Sequence, residues 1–237
     1  MSENNAIMQG GSVTESCVLQ ISDLHKSYGS HPALEGVSFS IPRGKIVGLL
    51  GPNGCGKSTI MKMISGLLPA DNGSILIDGH LPGLVSKSIV SYLPERTYLN
   101  DWMKVSEVLQ FFSDFYADFD LERAQQMLAD LHLSPNTRLK TMSKGTMSRR
   151  AQLYLLDEPI GGVDPAAREY ILNTILKNFD ESSSILITTH LIQDVEAIFD
   201  QVLFLNQGKI VIDGEVDEIR QQHGKSIDRL FREVFKC

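Results

Sequence analysis

The nine residues Gly51-Pro52-Asn53-Gly54-Cys55-Gly56-Lys57-Ser58-Thr59 constrain this chain more than any other stretch. They match G-x-x-x-x-G-K-[S/T], and their setting matters as much as their spelling. Ahead of them Ile46-Val47-Gly48-Leu49-Leu50 is a continuous apolar run, which reads as a strand buried on both faces. Behind them Ile60, Met61, Met63, Ile64, Leu67 and Leu68 recur at helical spacing until Pro69. A strand, a glycine-rich turn and a helix in that order form a phosphate cradle. Gly51, Gly54 and Gly56 let the backbone bend so that successive N–H groups converge at a helix N-terminus. In such a cradle Lys57 reaches the β- and γ-phosphates of a nucleotide, and the Ser58 hydroxyl holds Mg²⁺.

Around that centre the chain alternates strands and helices, the pattern of an α/β fold. Residues 1–16 are polar and without periodicity, and are expected to form a flexible tail. Strand patterns follow from Cys17, with a turn at Tyr28-Gly29-Ser30, and from about Ala33 to Ile41. Further strands are expected over Ser74–Ile77 and Ser88–Leu93, the latter ending at Pro94-Glu95. Between Arg96 and Met142 the texture turns helical: Val105, Val108, Leu109, Phe112, Phe115 and Tyr116 keep one stripe, and Leu121, Ala124, Met127, Leu128 and Leu131 another. This reads as an inserted helical lobe, with the aromatics in its core.

The second chemical landmark is Leu153-Tyr154-Leu155-Leu156-Asp157-Glu158-Pro159, an apolar strand ending in adjacent carboxylates. Beside a phosphate cradle, Asp157 falls where the Mg²⁺ shell is bound and Glu158 where an attacking water is polarised. A helix is expected over Pro165–Asn178, with Asp164 as its cap. The strand Ser184–Thr188 then runs into Thr189-His190, at the strand end where parallel sheets collect ligand-binding groups. A hairpin at Gln207-Gly208 joins Gln201–Asn206 to Lys209–Asp213, and two short helical patterns close the chain. The last of these puts Ile227, Leu230, Phe231, Val234 and Phe235 on one face, to cap the core or to meet a partner.

Composition narrows the classes. A net charge of -7 argues against a broad basic surface for nucleic acid. Cys17, Cys55 and Cys237 stand singly, without metal spacing, as suits a reducing cytoplasm. No apolar run has the length of a membrane span, and the N-terminus lacks a signal-peptide pattern. Any membrane part is therefore expected from another chain.

With the cradle, Asp157-Glu158 and His190 in this order, the chain resembles the ATP-binding subunit of an ABC transporter over roughly residues 17–222. The resemblance implies an α/β P-loop NTPase (RecA-like) core with an N-terminal antiparallel β subdomain and an α-helical lobe inserted at about 96–142, followed by a helical extension at 223–237. It implies that Tyr28 stacks on adenine, that Glu95 stands in the Q-loop near the metal where glutamine is usual, and that Met142-Ser143-Lys144-Gly145-Thr146 is a loose signature loop. Gly162-Val163-Asp164 corresponds to the D-loop and His190 to the switch histidine. ATP and Mg²⁺ are the implied ligands. The nucleotide contacts fall to Tyr28, Gly51, Pro52, Asn53, Gly54, Cys55, Gly56, Lys57, Ser58, Thr59, Glu95, Ser143, Gly145 and Asp164, the metal contacts to Ser58, Asp157 and Glu95. Glu158, His190 and Lys57 are the implied catalytic residues. The implied partners are a second ATP-binding subunit, whose Ser143 and Gly145 complete the γ-phosphate site, and a separate membrane permease. The permease would hold the subunit on the cytoplasmic face of the membrane, with no nucleic acid involved.

One departure stands out. Only Met147 to Leu156 separate Thr146 from Asp157, where the family pattern has roughly nine residues more, about 13 Å of helix. Met142-Ser143-Lys144-Gly145 is followed at once by Met147-Ser148-Arg149-Arg150, as though two similar stretches were joined and the helix between them lost. The alternative function this shortening implies is a nucleotide-binding regulatory subunit that hydrolyses weakly or not at all.

Overall fold

Alternation along five short strands builds the centre of the molecule. The computed structural model describes residues 17–95, 102–116, 119–130, 134–137, 151–163, 165–180 and 182–236. The first elements are β1 (Cys17–Tyr28), β2 (His31–Pro42), β3 (Ile46–Leu50), α1 (Lys57–Ile64), β4 (Asn72–Ile77), α2 (Leu84–Ile89) and β5 (Val90–Leu93). The lobe contributes α3 (Val105–Phe115) and α4 (Leu121–Asp130). Then come β6 (Leu153–Asp157), α5 (Pro165–Asn178), β7 (Ser184–Thr189), α6 (Ile192–Val195), β8 (Gln201–Asn206), β9 (Lys209–Glu215), α7 (Val216–His223) and α8 (Ile227–Phe235).

The main sheet has the order β5-β6-β7-β3-β8-β9, parallel except for the β8–β9 hairpin. Val47 and Leu49 of β3, Leu153 and Leu155 of β6, Leu186 of β7, and Leu203 and Leu205 of β8 enter one apolar layer with α1. Their neighbours Ile46, Leu50, Leu156, Ile185, Ile187, Val202 and Phe204 enter the other, with α5 to α8. Period-two side-chain geometry thus turns an uninterrupted apolar run into a wall shared by two cores. The antiparallel sheet β2-β1-β4 lies over the first layer, where Ile21, Leu24, Val37, Phe39 and Ile75 join Ile60, Met61 and Ile64. Lys26, nearly buried, ties β1 to the turn before β4 through Asp71 at 2.5 Å.

Two sequence expectations change. The strand expected over Ser88–Leu93 begins only at Val90, because α2 occupies Leu84–Ile89. Its first turn is closed by Ser86, whose hydroxyl accepts from the Gly83 N–H at 2.8 Å and donates to the Gly83 carbonyl at 3.1 Å. In the lobe, the aromatics are not the core. Val105, Leu109, Ala124 and Leu128 fill it, with Phe119 and Leu121 against them, while Phe115 is 71% exposed. Phe112, half-buried, stacks on Phe119, while the exposed Phe111 and Phe115 lean together on the outside of α3. The lobe helix starts where Val105 and Ser106 donate their N–H groups to the carbonyls of Thr137 and Pro135.

The C-terminal run covers the core. Ser226 caps α8 by accepting from the Arg229 N–H, and Ile227, Leu230 and Phe231 are buried. Phe231 meets Phe204 edge-on, with ring centroids 5.6 Å apart. Among the described residues, no helix is long and apolar enough to cross a membrane.

Candidate active site

β3 delivers the chain to Gly51, and the turn from Gly51 to Gly56 swings it into α1. The turn depends on residues without a side chain. A Cβ on Gly51 would stand 2.3 Å from the Leu205 carbonyl oxygen. One on Gly56, where φ is +114°, would stand 2.7 Å from Leu34 Cδ2. The loop is braced from beneath by the Gly208 N–H, which donates to the Cys55 carbonyl at 3.1 Å. Lys57 is folded back over it: Nζ donates to the Gly51 carbonyl at 2.7 Å and to that of Pro52 at 3.1 Å. These carbonyls satisfy a nearly buried ammonium, which would otherwise carry a large desolvation penalty.

Parallel pairing sets the second half of the site. Leu50 of β3 lies beside Thr189 of β7, and Asp157 of β6 beside Thr188. Asp157, Glu158, Thr188 and His190 therefore emerge at the same sheet edge as the cradle. Asp157 is 2% exposed and accepts from the Thr188 hydroxyl at 2.6 Å. Glu158 stands at φ +49°, and its carboxylate accepts from His190 Nδ1 at 2.9 Å, in the tautomer that carries the proton there. The ring is half exposed and Glu158 mostly covered, so the pair sits at the boundary of protein and cleft. Arg168 of α5 holds the following segment, donating to the Val163 carbonyl and to Asp194 at 2.9 Å each.

A cleft of about 720 Å³ opens above these groups. Of the residues expected at the site, Tyr28, Asn53, Gly54, Gly56, Lys57, Ser58, Thr59, Glu95, Glu158 and His190 line it. Asp157 lies just beneath, and Gly51 and Cys55 are packed into the loop as structure. Ser143, Gly145 and Asp164 lie outside the described residues. The sequence reading overlooked His31, Pro32 and Ala33, which line the cleft beside Tyr28. Their signal was weak: they merely follow a turn. Tyr28 is half exposed, and its hydroxyl approaches Thr59 Oγ1 at 3.5 Å, the outer edge of a hydrogen bond. Ser58 and Asp157 supply hard oxygen donors, a set that suits Mg²⁺ completed by phosphate oxygens and water. No cluster of three or more His, Cys, Asp or Glu side chains that could hold a metal by itself occurs among the described residues.

Cys55 is chemically quiet. Burial pushes its thiol above the usual range, and the nearby Lys57 ammonium offsets this only in part. At neutral pH it stays protonated, so iodoacetamide is expected to leave it unmodified in the native chain and to label it after unfolding. Peptide mass spectrometry reads this directly, and full labelling of native protein would contradict it.

The ABC transporter family profile matches residues 34–161. The SkfA peptide export ATP-binding protein SkfE of Bacillus subtilis (strain 168) is 32% identical over 220 residues, which cover 86% of this chain and 92% of that protein. The lipopolysaccharide export system ATP-binding protein LptB of Escherichia coli (strain K12) is 30% identical over 230 residues, covering 88% and 95%. Each alignment is longer than the share of this chain that enters it, 220 positions against 86% of 237 residues for SkfE, so gaps fall on this chain. Among solved structures, an ATP-binding subunit of an ABC transporter superposes with a TM-score of 0.77 at 29% identity, covering 91% of this chain and 98% of the other. Likeness of this extent, in sequence and in fold alike, settles the family: the protein belongs to the ABC transporters, among their ATP-binding subunits.

Proposed function

We propose that this subunit binds ATP with Mg²⁺ and hydrolyses it, in a head-to-tail dimer of ATP-binding subunits that drives a separate membrane permease. The observation that carries the reading is the Glu158–His190 contact at the rim of the cradle. A carboxylate fixed by an imidazole there is placed to orient a water toward a phosphate and to take up its proton. Tyr28 stacks on the adenine. Lys57 leaves its carbonyls for the β- and γ-phosphates, and the loop N–H groups bind the remaining oxygens. Ser58 and Asp157, with Glu95 nearby, hold the metal, which when bound neutralises phosphate charge. His190 holds the γ-phosphate and the water. Ser143, Gly145 and Asp164 of the second subunit close the site. Hydrolysis reopens the dimer, and the helical lobe passes that motion to the permease, which keeps the subunit on the cytoplasmic face of the membrane. Export is the favoured direction, since SkfE and LptB are named for export. The short Thr146–Asp157 connection is what suggests weak hydrolysis as a second reading.

The deciding experiment is Mg-ATP turnover by the native chain beside a version with a nine-residue helical segment inserted after Thr146, with Glu158→Gln as the blank for both. Equal turnover by both upholds an active subunit with a tolerated short connection. Turnover only in the restored chain makes the native protein a weakly hydrolysing nucleotide-binding subunit. Activity in neither, or activity undiminished by Glu158→Gln, overturns the assignment.

A further inference from the structure

A residue without a motif of its own joins both carboxylate residues of the site. Thr188 is fully buried on β7, directly beside Asp157 in the β6–β7 register. Its hydroxyl donates to Asp157 Oδ1 at 2.6 Å and accepts from the Glu158 N–H at 3.0 Å. Its carbonyl accepts from that same N–H at 3.1 Å. One side chain thus grips both adjacent carboxylate residues, the first by its side chain and the second by its backbone.

Each grip has a consequence. Asp157 sits at the end of a strand with its carboxylate free to turn about the Cβ–Cγ bond unless one oxygen is anchored. With Oδ1 held by Thr188, the second oxygen has a fixed place, 3.5 Å from the Tyr92 hydroxyl. Glu158 is one of five described non-glycine residues with positive φ, a conformation that persists only where surroundings enforce it. The shared Thr188 contacts enforce it, and the Gly161 N–H closes the next turn on the Glu158 carbonyl at 3.1 Å. That backbone turn is what swings the Glu158 side chain toward His190 rather than along the strand.

We propose that Thr188 is a positioning residue that orients Asp157 for magnesium–nucleotide binding and Glu158 for hydrolysis through a single hydroxyl. The proposal rests on the function proposed above for the site. A hydroxyl has one proton and two lone pairs, so it can serve a carboxylate and an amide at once. Valine has nearly the same shape and serves neither.

The test compares Thr188→Val and Thr188→Ser in the full chain, by titration with a fluorescent ATP analogue in EDTA and in Mg²⁺, and by turnover. In EDTA both variants are expected to bind as the native chain does, because the cradle is untouched. Thr188→Val is expected to lose about 10–100-fold in the Mg²⁺-dependent gain in affinity and in turnover, the usual scale for groups that orient metal ligands. Thr188→Ser should stay near native in both. A valine variant that keeps its Mg²⁺ response, or a serine variant that loses it equally, overturns the proposal, because shape rather than the hydroxyl would then be responsible. Should the valine variant not fold, Thr188→Cys, with only a weak hydrogen-bonding group, takes its place under the same two criteria. The Mg²⁺ titration needs no hydrolysis, so a native chain that binds but does not turn over ATP defeats the hydrolytic reading while Thr188 is still judged.

Discussion

Glu158→Gln is expected to lower Mg-ATP turnover by about 10²–10⁴-fold, the range spanned by loss of a positioned general base. Nucleotide affinity should stay within a few-fold of native. The two expectations separate because the residues that would carry them are separate. Affinity would come from the cradle N–H groups and from Lys57, which engages the Gly51 and Pro52 carbonyls and makes no bond to Glu158 among those described. Proton uptake would come from a carboxylate held at 2.9 Å by His190. Glutamine fills the same volume and can still meet the ring, so the fold around the positive-φ turn is preserved. What disappears is the negative charge that polarises water. Phosphate release and titration of a fluorescent nucleotide on the same preparation measure both quantities. Turnover within about threefold of native would remove Glu158 from the base role, since no base of that rank is so dispensable.

Ending the chain after Gly224 is expected to have an effect of comparable size on stability. The cut removes Ile227, Leu230 and Phe231 from the layer that also holds Phe204, Val195 and Ile192. Three buried apolar side chains represent at most about 5–9 kcal/mol of burial, against a total stability of about 5–15 kcal/mol. The cut also strips the Glu196 carboxylate of the Asp228 N–H it accepts at 2.9 Å, and Gln193 of its bond to Asp228. Both lie on the segment just after His190. The truncated chain should therefore melt far below the native one or aggregate on expression. Phe231→Ala offers a graded version, at about 3–5 kcal/mol. Thermal unfolding followed by circular dichroism reads both. A truncated chain that melts with the native one would mean that α8 contributes no net stability where it lies, and would free its apolar face for a partner.

The lobe aromatics and the Tyr28 side of the cleft show where linear patterns mislead. Helical spacing puts Val105, Val108, Leu109, Phe112, Phe115 and Tyr116 on one stripe. Packing against α4 divides it, because Ala124 and Leu128 meet Val105 and Leu109 and leave Phe115 exposed. His31, Pro32 and Ala33 carry no motif at all. They line the cleft only because β2 pairs with β1 and brings its first residues back beside Tyr28.

Local chemistry was legible where it is self-contained. The cradle bends at Gly54 and Gly56, whose positive φ glycine supplies locally, and the run Ile46–Leu50 is apolar because both its faces are covered. The helix Pro165–Asn178 was bounded by its own first proline, and the hairpin at Gln207-Gly208 by its turn residues. The sequence by itself therefore determined the phosphate cradle, most of the run of elements, and the residue types offered to chemistry. Only the tertiary structure decided which of those residues meet. Strand order β5-β6-β7-β3 sets Asp157 beside Thr188 across 31 residues of chain, and so places one hydroxyl between two carboxylate residues. It also settled that the last helix closes the core. Periodicity states that a face is apolar, whereas its partner is chosen by packing among elements far apart in the chain.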